Sequence, residues 1–485
     1  MSDRPQTRVV GPFNRVEGDL EVSLDMVNGR VAAARVNSPL YRGFEQILQG
    51  KPALDALVLV PRICGICSVS QSAAAAAALA ALAGAEPPPN GRYAGALAHG
   101  AENLADHFSH FYLFFMPDFA RADYAGRPWF AAAAARFKAI TGSATAQALP
   151  ARVEFLKLMG LLAGKWPHTL AFQPGGTSQP MGASEQIRAI ALLRQFRGWL
   201  ERHLFGDALE VIAALDSVAQ LEAWCGARPA AASDFRLFCE IARDLGLAGL
   251  GRGPGRYLSF GGHPLAEGAL FAPGVWDGTV LPVEETAIRE DLSHAWLGGP
   301  VDPLHPLRGE TLPDADKPGA YTWCKAPRWR GMTMEVGALA RQMVDGHPLI
   351  RELAADGGNV FARVVARLLE LARLIPAMER WAQAIEPGEP FCLPVQLPDE
   401  GSAAGLVEAA RGGLGHWLTL RRGRLHSYQI IAPTTWNFSP RDAAGTPGPL
   451  EAALVGLECP LGAPLPPAIQ HVVRSFDPCM VCTVH

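Results

Sequence analysis

Arg62-Ile-Cys64-Gly-Ile-Cys67 and Asp477-Pro-Cys479-Met-Val-Cys482-Thr-Val-His485 are the stretches on which the reading of this 485-residue chain turns. Each holds a C-x-x-C pair, one near the front and one at the very end. Thiolates are soft ligands that suit zinc, iron–sulfur or nickel. Four of them close around one centre only if a complete fold brings both ends together, so residues 1–485 are expected to form one unit. The simplest alternative is structural zinc in an all-cysteine site. Three features pull away from it. Structural zinc usually holds a small local module, whereas this site would tie a long chain. Arg62, Asp477 and His485 flank the cysteines, and Arg15-Val-Glu17-Gly-Asp19 sets a carboxylate beside an arginine.

The rest of the chain is ordinary globular material, 49% hydrophobic and 19% charged, enough for a large core. Net charge is −4, with no basic tail or long charge block, which gives no reason to expect nucleic acid or an anionic membrane as partner. The small-apolar run from Ser72 to Gly84 is shorter than the about 20 residues a membrane span needs. The first residues have no apolar core and no twin arginine, so no signal peptide is expected. Nine cysteines, an odd number with close pairs, argue against a disulfide framework and for a reducing compartment. Cys225, Cys239, Cys324, Cys392 and Cys459 stand alone in sequence and read as small buried hydrophobes.

Periodicity gives a mainly α, α+β fold: a long-helix core with small β elements at both ends. Residues 8–36 alternate around Asn28-Gly29 and read as a β-hairpin. Residues 45–384 read as a helical core with loop insertions. Helices are expected over 45–60, from Cys67 to about 84, across most of 91–164 and 183–247, and over 361–384. The glycine- and proline-rich stretches 247–275 and 292–320 read as surface loops and short strands. Residues 405–485 read as a second β region, turning at Arg422-Gly423, followed by the metal-binding tail. No dinucleotide fingerprint, phosphate loop or serine-hydrolase elbow is present. His107, His110 and His168 read as packed core histidines.

The cysteine motifs resemble the two nickel-binding signatures of [NiFe]-hydrogenase large subunits. Further segments resemble the family in its own order, across essentially the whole chain. They are Arg15-Val-Glu17-Gly, Arg42-Gly-Phe-Glu45, Asp106-His-Phe-Ser-His110-Phe-Tyr112, Pro167-His168, Lys325-Ala-Pro-Arg328, Met334-Glu-Val-Gly337, Arg411-Gly-Gly-Leu-Gly-His416-Trp417 and Pro433-Thr-Thr-Trp-Asn437. The resemblance implies that Cys64 and Cys479 bind nickel terminally, and that Cys67 and Cys482 bridge it to an iron carrying CO and two cyanides. It implies heterolytic splitting of H2, with Cys479 taking the proton and Glu17 relaying it outward. Arg411 would sit over the open coordination position with Asp106 nearby, and Thr434 would hydrogen-bond a cyanide. Glu45, the carbonyl of Ile430 and His485 would hold magnesium. No cysteine spacing remains for an electron relay, so a small subunit carrying iron–sulfur clusters is the implied partner.

Three positions depart from the family pattern. Gln71 stands where a histidine usually follows the second cysteine. The chain ends at His485, without the C-terminal peptide that most members carry before processing. Ile66 and Phe114 are bulkier than the usual residues of the gas channel. Together they resemble the regulatory branch, cytoplasmic sensors of slow turnover and oxygen tolerance that report H2 to a histidine kinase, with a dimer of heterodimers as the expected assembly. The alternative within the family is an energy-conserving uptake enzyme.

Overall fold

The computed structural model describes residues 6–460 and 464–483. His485 therefore lies outside the described residues, and so does its expected part in a magnesium site. The chain opens with an antiparallel sheet of β1 (Gln6–Val10), β2 (Glu21–Val27) and β3 (Arg30–Asn37). Asn28 and Gly29 both take positive φ, 51° and 73°, as the tight turn between β2 and β3 requires. Val22, Leu24 and Met26 alternate inward. The expected hairpin is thus present and gains a third strand. The expected helix over 45–60 is instead broken into short turns, Phe44–Leu48 and Ala56–Leu59, with a 3-10 turn between them. Pro52 interrupts it, because proline lacks the N–H that would continue the helix.

The helical body comprises α1 (Ser68–Ala83), α2 (Pro89–Ser109), α3 (Ser143–Ala163), α4 (Ala183–Trp199), α5 (Val218–Gly226), α6 (Asp234–Asp244), α7 (Ala338–Asp345) and α8 (Val360–Ala384). A second sheet follows, in the order β4 (Gly401–Ala409), β5 (Gly412–Arg421), β6 (Arg424–Ile431). The last helix is α9 (Pro467–Ser475). α1 is alanine-rich because it lies directly on β4. A Cβ at Gly405 would fall 2.0 Å from the Ala74 carbonyl and 2.5 Å from the Ala78 nitrogen, so only glycine admits this contact. One apolar core runs from Val22 through Leu79 and Leu368 to Phe476, joining both ends of the chain.

The stretch 247–275 is not all surface. Tyr257–Ser259 is a fully buried strand, and Leu258 joins a second apolar cluster with Trp329, Trp417 and Trp436. Strands this short show no alternation in sequence. No described helix is long and apolar enough to cross a membrane.

Buried charge locks α9 to the N-terminal segment. Asp118 accepts from Arg474 at 2.9 and 2.7 Å and from His471 at 3.1 Å, and also pairs with Arg15. Burial disfavours the Asp118 carboxylate, but His471, Arg474 and Arg15 outweigh it and hold it well below the usual range. Its stabilisation is therefore complete at neutral pH and begins to fade only as pH falls below an ordinary carboxyl value of about 3.9. Asp118→Ala removes the ion-pair partner of the buried Arg474 and of the partly exposed Arg15 and Arg121, and is expected to cost about 3–5 kcal/mol, read as a lower thermal midpoint and a poorer yield of folded chain.

Candidate metal centre

Four sulfurs converge where the two ends of the chain meet. Cys64 Sγ lies 3.5 Å from Cys479 Sγ, Cys67 Sγ 3.3 Å from Cys482 Sγ, and Cys479 Sγ 3.0 Å from Cys482 Sγ. All four are buried and mutually within 4.8 Å. These separations are too long for disulfides, which bond near 2.05 Å.

Local backbone explains the convergence. Cys67 stands at the N-cap of α1. Asp477 takes positive φ, 57°, and turns the chain out of α9 toward Cys479. The N-terminal segment then pairs with the tail: the Glu17 N–H donates to the Pro478 carbonyl at 3.3 Å, and the Met480 N–H donates to the Glu17 carbonyl at 2.8 Å. Both ends thus build the site, as the cysteine spacing requires.

Arg411 occupies the two-residue turn between β4 and β5. Its Nη1 lies 2.9 Å from Asp106 Oδ2 and its Nη2 3.0 Å from Asp106 Oδ1, while Nη2 reaches Asp477 Oδ1 at 3.2 Å and Nε the Asp477 carbonyl at 2.8 Å. Burial alone would raise the Asp477 carboxyl, but the charges of Arg411 and Arg367 outweigh it and keep it below the usual range. A cavity of about 10 Å³ is lined by Cys67, Gln71, Arg411, Thr434, Cys479 and Cys482. Thr434 Oγ1 accepts from the Cys479 N–H at 3.2 Å, which leaves its own proton free to donate.

Glu17 is half-buried. Burial and the neighbouring Cys64 raise its carboxyl above the ordinary range, against the pull of Arg411. Gln71 is fully buried. Its Oε1 lies 2.8 Å from His416 Nε2, and His416 Nδ1 lies 2.8 Å from the Tyr428 hydroxyl. Among the described residues its Nε2 has no acceptor, an unpaired donor in a residue that lines the sulfur cavity. Pairing of Gln71 with His416 was not visible in sequence, because 345 residues separate them.

Other expected residues fall elsewhere. Glu45 is buried and already satisfied: Lys325 Nζ lies at 2.9 and 3.0 Å, the Ile430 N–H donates at 2.8 Å, and the Thr311 hydroxyl also donates. Ile66 and Phe114 are partly buried and do not line the sulfur cavity; the Phe114 carbonyl accepts from Arg15 at 3.1 Å. Arg62 is exposed, its guanidinium donating back to the Val58 carbonyl one turn earlier, so it does not serve the site. His107 pairs with Glu370 at 2.8 Å, His110 Nε2 donates to the Arg474 carbonyl at 2.7 Å, and His168 Nδ1 to the Pro61 carbonyl at 2.9 Å. Burial lowers His110 to about 3, so it is neutral. All three act as packed, hydrogen-bonded histidines.

The donor set fits a soft metal centre: four buried sulfurs, with the Gln71 amide and Thr434 hydroxyl left to donate toward the ligands of that centre. The model of the family described as nickel-dependent hydrogenase matches residues 42–125 and 124–485. The chain belongs to the nickel-dependent hydrogenases, as a large subunit. The large subunit of the periplasmic [NiFeSe] hydrogenase of Desulfomicrobium baculatum is 29% identical, over 98% of this chain and 94% of its own. The uptake hydrogenase large subunit of Azotobacter chroococcum is 28% identical, over 98% and 95%. The solved Ni-Fe-Se hydrogenase of Desulfovibrio vulgaris Hildenborough superimposes with a TM-score of 0.83 at 28% identity, covering 99% of this chain and 100% of that one. This hydrogenase large subunit therefore has the mainly helical family fold expected from its sequence, and it is an H2-oxidising oxidoreductase.

Proposed function

We propose that this large subunit serves an uptake-type hydrogenase, in which Cys64, Cys67, Cys479 and Cys482 would together hold a nickel–iron centre whose iron would carry CO and cyanide. The convergence of the four buried sulfurs carries this reading. The relatives that match along nearly their full length bear uptake, quinone-reactive and periplasmic names, which supports an electron-delivering role. When bound, the nickel–iron centre would supply Lewis acidity toward H2 and an acceptor for its electrons. The protein supplies the proton path and the polar frame. Cys479 Sγ receives the proton and the Glu17 carboxyl, raised by burial, accepts it next. Arg411, clamped between Asp106 and Asp477, holds a fixed positive charge at the cavity. The Thr434 hydroxyl donates toward a cyanide. Electrons leave through a small subunit carrying iron–sulfur clusters. Magnesium at Glu45, the Ile430 carbonyl and His485 would have to draw Glu45 away from Lys325.

One observation favours a second reading, the cytoplasmic H2 sensor that signals to a histidine kinase. Gln71 presents a neutral amide to the sulfur cavity, and an amide cannot become a cation as a histidine can. Groups that contact metal ligands commonly change activity about 10–100-fold. Gln71→His is expected to raise turnover and to shift the infrared bands of the iron's diatomic ligands if sensing depends on this amide. An unchanged rate with unchanged bands contradicts the sensor reading. The two roles separate by H2-dependent dye reduction in the large–small complex, before and after air. Fast turnover supports uptake, while a slow rate that survives air supports sensing. In the sensor reading, smaller residues at Ile66 and Phe114 make the enzyme air-sensitive.

A further inference from the structure

Cys225 and Cys239 are not isolated, as their sequence positions suggest. Cys225 lies on α5 and Cys239 on α6, and both line one largely apolar cavity of about 180 Å³, together with Leu221, Arg243, Leu353 and Phe361. Cys225 is partly exposed and Cys239 is buried. The Cys239 thiol and then the Arg243 and Arg236 guanidinium groups hold the Cys225 thiol below its usual range, against burial, whereas burial and Cys225 push Cys239 up. Cys392 is a natural comparison: it is equally free and partly exposed, yet burial raises it. Nothing in the hydrogenase reaction uses either thiol of the pair.

We propose that Cys225 and Cys239 form a peroxide-reactive dithiol, in which Cys225 attacks the oxidant and Cys239 closes the disulfide. The Cys225 thiolate attacks one peroxide oxygen. The O–O bond breaks, one water leaves and Cys225 becomes a sulfenic acid. The Cys239 sulfur then displaces the sulfenic oxygen as a second water, and an S–S bond joins α5 to α6. The two thiols supply two electrons and two protons, and one hydrogen peroxide is reduced to two waters. A partly exposed attacking sulfur and a buried second thiol in one cavity, with Arg243 on its wall, is the arrangement that favours this order of events.

The test uses the purified complex of large and small subunits. Hydrogen peroxide is added, the protein is denatured and alkylated, and its cysteine peptides are weighed. The expected product is a Cys225–Cys239 linked peptide, lighter by two hydrogens and restored by a dithiol reductant, while Cys392 stays alkylated. In C239S, a sulfenic acid should accumulate at Cys225 and be captured by dimedone; in C225S, Cys239 should remain a thiol. Without peroxide, iodoacetamide should label Cys225 in the folded complex severalfold faster than Cys392. Persistence of both thiols after peroxide overturns the proposal. Oxidation of Cys392 as fast as Cys225, or sulfenic acid at Cys225 that never closes in the unaltered chain, also overturns it.

Discussion

Cys479→Ala is expected to abolish both nickel uptake and H2-dependent dye reduction, while the chain still folds and binds its small subunit. Cys479 contacts two of the other three sulfurs, 3.5 Å from Cys64 and 3.0 Å from Cys482. Its backbone N–H is held by Thr434, and the residues on either side are bonded to Glu17. Those backbone contacts survive the substitution, so the loop should keep its course and lose only the ligand. A site short of one thiolate loses much of its affinity, because each deprotonated ligand contributes charge as well as a bond. Cys324→Ala is the control. Cys324 is also fully buried, but its thiol donates to the Lys325 carbonyl at 3.3 Å, away from the sulfur cluster. That variant should keep nickel and activity. Metal content and dye reduction, measured on both variants, check the expectation together.

Glu17→Gln should slow H2/D2O exchange by about 10²–10⁴-fold while nickel and iron content stay at the unaltered level. The carboxyl is raised by burial and by Cys64, so it holds a proton to higher pH than an ordinary glutamate with its value near 4.3. That brings it nearer to the proton affinity of a thiol and suits a group that accepts and then releases. Glutamine keeps the size and the backbone pairing with the cysteine tail but cannot cycle a proton. The acid limb of the exchange profile should therefore lie above the ordinary glutamate range in the parent and vanish in Glu17→Gln. Glu17→Asp should recover part of the rate. Exchange that is unchanged in Glu17→Gln removes Glu17 from the path.

The centre was legible in sequence because its ligands are chemically rare and come in fixed spacing. Two C-x-x-C pairs at opposite ends demand a fold that joins them, and the pairing of Glu17 with the tail is how the chain does it. The long helices were legible from their periodicity, and Asn28-Gly29 and Arg422-Gly423 from turn chemistry. What stayed hidden depended on distant partners. Gln71 was noticed as unusual, but its orientation is set by His416 on β5 and Tyr428 on β6. Arg62 looked useful because it neighbours Cys64 in sequence, yet its side chain turns outward. Glu45 was read as a magnesium ligand, and its ion pair with Lys325, 280 residues away, left no trace in the sequence. Cys225 and Cys239 looked solitary, since only the folded chain sets both on the wall of one cavity. Tyr257–Ser259 was placed at the surface because a three-residue strand leaves no pattern to read.

The most direct measurement is the metal content of the purified large–small complex, with the four-cysteine site intact and after Cys479→Ala. Nickel in an about equal amount to large subunit, accompanied by iron and lost in the variant, is the result this account predicts. Zinc without nickel in the unaltered protein, or nickel retained in full by Cys479→Ala, would contradict it.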